Sequence, residues 1–349
     1  MLLFLKMTAR AFAAGVSGMV LLLASRAICN AGGNEPLTIG VGEWTGSSVI
    51  GVGIDQRFWE EEGLDVRVAV FGDDALELAA LRSGKIDFLL TVGGNVPSLI
   101  REGIPLIVLG EVAWSDGAHK LLASPQFSFT QRDSVVRVGI ASSRPPLRQF
   151  VSAIMDRNGV GERNVIFEMH GQDDLVQRFV DRRLSLIALP DPRARIAEER
   201  GFAQVLATSA STEGVLPEVL ACTPTALERL GENGIRAFIR GWLRGLDWMN
   251  ESGNFSTVAT ATNRLIFVDD AYSETEITAM LGAVKLHDRP ALLSRNLPAG
   301  GLAQYYDRLR TFLEKEGSDE ARFEPKNFLR TGILIDELKT ESAIRETGG

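Results

Sequence analysis

The sequence contains little cysteine and little histidine. Among 349 residues there are two cysteines, Cys29 and Cys222, and three widely separated histidines, His119, His170 and His287. No cysteine cluster, HExxH motif, Walker loop or serine–histidine–aspartate motif occurs. We therefore expect no catalytic residues, no cofactor and no metal. Cys222 lies in an apolar run and is expected to be a small buried hydrophobic residue.

An excess of basic residues is also lacking. Lysine and arginine number 37 against 45 acidic residues, for a formal net charge of -8. Without the first thirty residues the basic count falls to 34 and the acidic count stays at 45. Nucleic-acid surfaces need clustered lysine and arginine, so we predict no nucleic-acid partner. An anionic small ligand stays possible, because one arginine or a helix N-terminus can hold it.

Only one apolar run near the N-terminus approaches the length of a membrane span. Ala11–Ala24 follows Lys6 and Arg10 and precedes small residues, which is the layout of a signal peptide. We predict a signal peptide over residues 1–31, cleaved after residue 27 or 31, and a periplasmic protein. The run is short for a membrane span. The alternatives are an uncleaved anchor, lipidation at Cys29, and a translation start at Met7.

The rest of the sequence repeats one pattern of elements. Residues 37–95 and 135–192 each predict strand, loop, helix, strand, helix and strand, at an offset of about 98 positions. Two similar β-α-β-α-β units predict two α/β lobes, and a cleft between lobes is a preferred place for a small ligand. We expect a monomer that closes around this ligand.

The domain boundaries follow from the repeat. Lobe 1 is expected to comprise residues 36–124 and 217–335, with C-terminal helices packed on it. Lobe 2 is expected to comprise residues 125–216, including crossovers at 125–134 and 213–217 that would form a two-stranded hinge. Helices are predicted over Thr225–Leu230, Glu232–Met249, Phe255–Leu265, Ser273–Val284 and Gly301–Glu316, and a flexible tail over 336–349.

Several segments resemble one family of transport proteins. The resemblance is to ABC-transporter substrate-binding proteins of the nitrate/sulfonate/taurine/pyrimidine-precursor type, and it covers roughly residues 36–330. The segments that carry it are Ile39–Gly46, Phe58–Val66, Ala80–Phe88, Gly103–Val108 and Ala237–Trp248. The order and spacing of these segments are more specific than any one of them.

The resemblance implies a type II periplasmic-binding fold with two doubly wound α/β lobes. It also implies a receptor that delivers its ligand to an ABC permease in the inner membrane. The loop Ala141–Pro146 departs from the small-residue helix start usual in such proteins, which puts the ligand class in doubt. Two other functions stay open: a ligand sensor that signals to a membrane partner, and a relative of the yeast pyrimidine-precursor synthase.

Candidate ligand-binding residues follow from the expected topology, because ligands of open α/β sheets bind beyond the carboxyl ends of the strands. In lobe 1 the loops after the first and third strands offer an indole ring, hydroxyls and backbone N–H groups. Trp114 and Asp116 occupy a later loop. The lobe 1 candidates are Trp44, Thr45, Gly46, Ser47, Ser48, Gly93, Gly94, Asn95, Trp114 and Asp116.

The corresponding loops of lobe 2 offer a cation, hydroxyls and a carboxylate between two prolines. Their candidates are Ser142, Ser143, Arg144, Gln172 and Asp191. Each lobe candidate has a structural alternative, either a helix cap or a solvated surface residue. The arginine and serines favour an oxyanion, and the tryptophans favour an apolar body. The acidic pairs at 73–74 and 173–174 precede predicted helices, where capping is the favoured interpretation.

Overall fold

The computed structural model describes residues 35–129, 135–142, 144–212, 214–251 and 253–347, without the side chains of Glu162 and residues 342–347. The predicted signal peptide, Cys29 and Ser143 lie outside this part of the chain.

Eleven strands occur in the described residues. In chain order they are β1 Leu37–Gly42, β2 Val66–Phe71, β3 Phe88–Val92, β4 Ile107–Ser115, β5 His119–Ala123, β6 Val136–Ile140, β7 Val165–Met169, β8 Leu186–Pro190, β9 Gln204–Thr208, β10 Pro217–Cys222 and β11 Val284–Leu286.

Thirteen α-helices occur in the same part of the chain. They are α1 Ser48–Asp55, α2 Phe58–Glu61, α3 Asp74–Arg82, α4 Asn95–Arg101, α5 Pro145–Arg157, α6 Gln172–Val180, α7 Arg193–Gly201, α8 Pro224–Met249, α9 Phe255–Leu265, α10 Glu274–Leu281, α11 Arg289–Asn296, α12 Gly301–Lys315 and α13 Gly332–Thr347.

The strands form two sheets with matching order. The first sheet runs β11-β4-β10-β3-β1-β2 and the second runs β7-β6-β8-β5-β9. In each sheet the first strand of the repeat, β1 or β6, lies between the second and third and is parallel to both. In each, the next strand is antiparallel, β10 beside β3 and β5 beside β8. The repeated sequence pattern is thus a repeated topology, and the two-lobed α/β prediction is confirmed.

The predicted position of the first crossover is wrong. Only residues 116–118 separate β4 in the first sheet from β5 in the second, and the chain returns through 209–216 into β10. Leu121–Ala123 therefore belongs to lobe 2, although it was expected in lobe 1. The apolar pattern identifies this strand but carries no information about which sheet it joins, and the Pro125 loop lies within lobe 2.

The C-terminal helices cover the first sheet, as predicted. Buried side chains of α8, including Phe238 and Trp242, pack on one face together with Trp59, whose indole N–H donates to the Phe238 carbonyl at 2.8 Å. Tyr305 and Tyr306 of α12 pack on the other face. Cys222 is fully buried in the core, as expected.

Local signals are confirmed at several helix ends. Gly231 interrupts α8 with φ 62° and ψ 178°, which is the expected break between the two predicted helices. Ser273 and Glu276 form the capping box of α10, and Asp73 caps α3 by accepting from the Leu76 N–H at 2.8 Å.

The predicted flexible tail is wrong for the described residues up to 347. These residues continue α13, and Leu334 and Leu338, four positions apart on one face, are buried against the core of the first sheet. The apolar stripe of α13 is short and residues 336–341 are otherwise polar, so the sequence pattern did not reveal it.

Candidate functional site

A cavity of about 190 Å³ lies between the two lobes. It is lined by the ends of β1, β2, β3, β4 and β8, by residues that follow β1, β2, β3, β6 and β7, and by the starts of β5 and β10. The location agrees with the rule that ligands of such sheets bind beyond the carboxyl ends of the strands. This volume can hold about ten water molecules or one small organic molecule.

Five of the predicted binding residues line this cavity: Trp44, Asn95, Ser142, Arg144 and Gln172. They come from both lobes, so the sequence-based choice of loops brought together residues that are more than one hundred positions apart. Whether each of them contacts a ligand stays a prediction.

The polar residues just after Trp44 pack beneath the cavity and do not line it. Thr45, Gly46, Ser47 and Ser48 are buried in a 3-10 turn and the start of α1. The Ser48 hydroxyl donates to the Thr45 carbonyl at 2.6 Å and accepts from the Thr262 hydroxyl at 2.9 Å. Ser48 therefore fastens the helix start to α9.

The two glycines after β3 serve close packing against α12. The Gly93 carbonyl accepts a hydrogen bond of 3.0 Å from the Tyr306 hydroxyl. A Cβ on Gly94 would lie 2.4 Å from the Tyr305 hydroxyl oxygen, so a larger residue does not fit there. The glycines permit this contact and do not line the cavity.

Trp114 and Asp116 also lie away from the cavity. The Trp114 ring contacts His287, at 4.9 Å between ring centroids, and the guanidinium of Arg295, at 4.9 Å. The Asp116 N–H donates to the Ala283 carbonyl at 2.9 Å. Both residues therefore join β4 and the crossover to the C-terminal half of lobe 1.

Asp191 is buried outside the cavity lining. Its carboxylate lies 3.0 Å from Lys120 Nζ, and both side chains are largely buried. Burial is the main influence on the carboxyl and raises its pKa, while Lys120 acts in the opposite direction. The rigid placement between two prolines holds an ion pair within lobe 2.

Arg144, the predicted anion-binding cation, is already paired. It is 5% exposed, and its guanidinium donates to Glu77 Oε1 of lobe 1 at 3.0 Å. Burial raises the Glu77 pKa, an effect that Arg144 opposes. An anionic ligand would have to compete with this carboxylate for the arginine.

Further side chains join the lobes around the cavity. Ser142 donates to Asp74 at 2.5 Å, and Arg193 of α7 lies 3.3 Å from Glu43 of lobe 1. The same guanidinium lies 2.9 Å from Asp270, also in lobe 1. The structure is therefore closed, with arginines of lobe 2 facing carboxylates of lobe 1.

Glu218 is the most perturbed acid of the cavity. It is 6% exposed at the start of β10, and burial raises its pKa to about 7, although a hydrogen bond with the Trp44 side chain lowers it. Its Oε2 is buried without another hydrogen-bond partner in the described residues. Glu218 thus presents a carboxyl group whose charge no cation of the described residues balances.

His119 also contacts the Trp44 ring, with 5.3 Å between ring centroids. Burial lowers its pKa to about 4, so the ring is neutral at pH 7. Its Nδ1 lies 2.8 Å from the Ser115 hydroxyl, which lies 2.7 Å from the Ser209 hydroxyl.

The hydroxyl pair indicates where the His119 proton resides. Both hydroxyl protons find acceptors when Ser209 donates to Ser115 and Ser115 donates to Nδ1. The ring proton is then on Nε2, which has no partner in the described residues. His119, which lines the cavity, is therefore a neutral ring with its N–H at Nε2.

Sequence reasoning missed Glu218, His119 and Glu43 as cavity residues. One signal was available for Glu218, which is the only acid in the otherwise apolar strand Pro217–Cys222. Burying an ionisable residue costs free energy unless it is paired, so its presence in a buried strand points to a role. His119 carried no comparable signal, because its neighbours in sequence resemble an ordinary loop.

Neither a metal site nor a membrane-spanning helix is found in the part of the chain that the structure describes. No group of three or more histidine, cysteine, aspartate or glutamate residues there has metal-binding geometry. Among the same residues, no helix combines the length and the apolar character needed to cross a membrane.

Solved structures share this fold at low sequence identity. A ligand-binding component of an ABC-type import system from Staphylococcus aureus, with zinc bound, aligns with a TM-score of 0.69 and 12% identity over 86% of this chain and 98% of its own. The periplasmic nitrate-binding protein NrtA from Synechocystis PCC 6803 aligns with a TM-score of 0.66 and 11% identity over 87% and 88%.

A third structure is the alkanesulfonate-binding protein SsuA from Xanthomonas axonopodis pv. citri bound to MOPS, which aligns with a TM-score of 0.63 and 13% identity over 86% of this chain and 99% of its own. No protein-family model and no curated protein sequence matches the chain. The matching sheet orders, the cavity between the lobes and these alignments together show that the chain has the two-lobed fold of the substrate-binding components of ABC importers.

Proposed function

We propose that this protein is an extracytoplasmic receptor that captures a small organic molecule between its lobes and delivers it to an ABC importer. The observation that carries the proposal is the cavity of about 190 Å³, which is lined by both lobes and would be opened by their separation. In the part of the chain that the structure describes, two segments, 116–118 and 209–216, connect the sheets. Such a connection permits hinge motion around a ligand.

The remaining parts of the proposal rest on the fold and on the sequence. The structural neighbour from Staphylococcus aureus is named as a component of an ABC-type import system, which supports an inner-membrane permease as the partner. The leader-like N-terminal sequence supports a periplasmic location, and we propose a monomer. An anionic ligand, which the sequence favoured, is not part of the proposal, because Arg144 is paired with Glu77.

Native mass spectrometry of the protein purified from its own host tests ligand capture. We expect a small molecule to be retained, and Trp44→Ala to weaken its binding at least tenfold, about 1.4 kcal/mol, because the ring lines the cavity. Trp248→Ala, which removes an indole from α8 outside the cavity lining, is the matched control. Retained binding in Trp44→Ala, or equal loss in the control, would contradict the proposed site.

Transport is tested separately from capture. The importer reconstituted in lipid vesicles should hydrolyse ATP faster when the ligand-loaded protein is added than when the ligand-free protein is added. If the protein binds its ligand but the rate of ATP hydrolysis is the same with the loaded and the ligand-free protein, the transport role is refuted and ligand capture is not.

A further inference from the structure

The cavity is lined by more negative than positive groups. Among the described lining residues are five carboxyl side chains, Glu43, Asp73, Asp74, Glu77 and Glu218, and one guanidinium, that of Arg144. His119 adds no charge at pH 7, because burial lowers its pKa to about 4.

Most of these charges already have partners. Glu77 accepts from Arg144 at 3.0 Å, and Glu43 lies 3.3 Å from Arg193. Asp74 accepts from the Ser142 hydroxyl at 2.5 Å. Asp73 accepts from a backbone N–H as the cap of α3. An oxyanion in this cavity would therefore find no unpaired cation in the described lining.

Glu218 differs from the other four acids. It is 94% removed from solvent and lines the cavity, and the described residues supply it with a hydrogen bond from Trp44 and no cation. A buried carboxylate without a paired cation is unfavourable, and a cation placed beside it recovers much of that cost. The adjoining indole ring is itself a favourable surface for a cation.

We propose that the ligand carries a cationic nitrogen, such as a protonated amine, and that Glu218 binds this nitrogen beside the Trp44 ring. This inference rests on the proposed function, since it names the class of molecule that the receptor captures. The sequence favoured an oxyanion bound by Arg144, but Arg144 is paired with Glu77. The ligand class proposed here is an organic cation with an apolar part.

Below about pH 7, binding of a cation should also release a proton from Glu218. Burial raises the Glu218 pKa to about 7, so the carboxyl group is protonated below that pH and must ionise to pair with the ligand. The ionisable groups that line the same cavity are His119, Arg144 and the four other acids. Well below pH 7, we expect the affinity for an amine to fall about tenfold per pH unit.

Calorimetry with three matched probes tests the proposal: benzylamine, benzyl alcohol and benzenesulfonate. At pH 8 we expect benzylamine to bind at least tenfold more tightly than the other two. Glu218→Gln should remove this preference, whereas Glu228→Gln, on the exposed face of α8, should keep it. Glu218→Asp keeps the negative charge and should keep a preference for the amine, which distinguishes charge pairing from misfolding.

The proposal is overturned if the alcohol or the sulfonate binds as tightly as the amine, if none of the three binds, or if Glu218→Gln keeps the preference. An anionic molecule co-purifying with the protein would also overturn it, while leaving the receptor function intact. A protein that retains no ligand and shows no effect of Trp44→Ala would instead refute the receptor function.

Discussion

Replacement of Glu218 by glutamine should make lobe 1 more stable at alkaline pH. The carboxyl group has a pKa of about 7 in the folded protein and an ordinary value of 4.5. Between these values the unfolded chain loses its proton while the folded protein keeps it. The wild-type protein therefore loses stability as the pH rises from about 4.5 to 7, and the stability from this group is fully present only below that window.

The magnitude follows from the separation of the two pKa values. One pKa unit corresponds to about 1.4 kcal/mol, so the buried carboxyl group destabilises the protein by about 3 kcal/mol above pH 7. Glutamine has nearly the same shape and never ionises. The free energy of unfolding of Glu218→Gln minus that of the wild type should therefore be about 3 kcal/mol larger at pH 8 than at pH 4.

Tryptophan fluorescence during urea unfolding measures this quantity in the relevant lobe. All five tryptophans of the sequence lie in the lobe 1 segments before β5 and after β9, as does Glu218. The difference between variant and wild type is measured at pH 4 and at pH 8, with Glu228→Gln as the exposed control. An identical pH dependence of wild type and Glu218→Gln would refute the reasoning.

Two further predictions concern closure and packing. Arg193→Met removes the guanidinium that pairs with Glu43 across the cleft, so the ligand-free protein should show a larger radius of gyration in small-angle scattering; an unchanged radius would exclude this contact as a determinant of closure. Gly241→Ala should lower the free energy of unfolding by about 1–3 kcal/mol, because the new Cβ would lie 2.4 Å from the Trp59 ring, and an unchanged urea midpoint would contradict this.

Much of the fold could be predicted because its signals are local and repeated. The alternation of strands and helices appears in the sequence twice, and the helix break at Gly231 and the capping box at Ser273 are set by neighbouring residues. The sheet that β5 joins could not be predicted. It depends on pairing with β8, about seventy residues later, and an apolar strand reads the same in either lobe.

The candidate site was predictable in its location and less so in its chemistry. Loops after parallel strands are identifiable from sequence, and this brought Trp44, Asn95 and Arg144 to the cavity. Whether a polar side chain reaches the cavity depends on what packs beneath it. Ser48 is hydrogen-bonded to Thr262, and Asp191 forms an ion pair with Lys120. Neither contact can be recognised from the neighbouring residues in the sequence.

The two lobes share a topology and differ in charge across the cleft, and this difference separates closure from ligand recognition. Lobe 2 contributes the guanidiniums of Arg144, Arg148 and Arg193, and each reaches a carboxylate of lobe 1. These pairs stabilise the closed form without contributing an unpaired charge to the cavity. Among the described residues that line the cavity, Glu218, beside the Trp44 ring, is the buried carboxyl group without a cation partner. A ligand that selects the closed form must therefore satisfy this carboxyl group, whereas Arg144, the predicted anion-binding residue, holds the lobes together with Arg148 and Arg193.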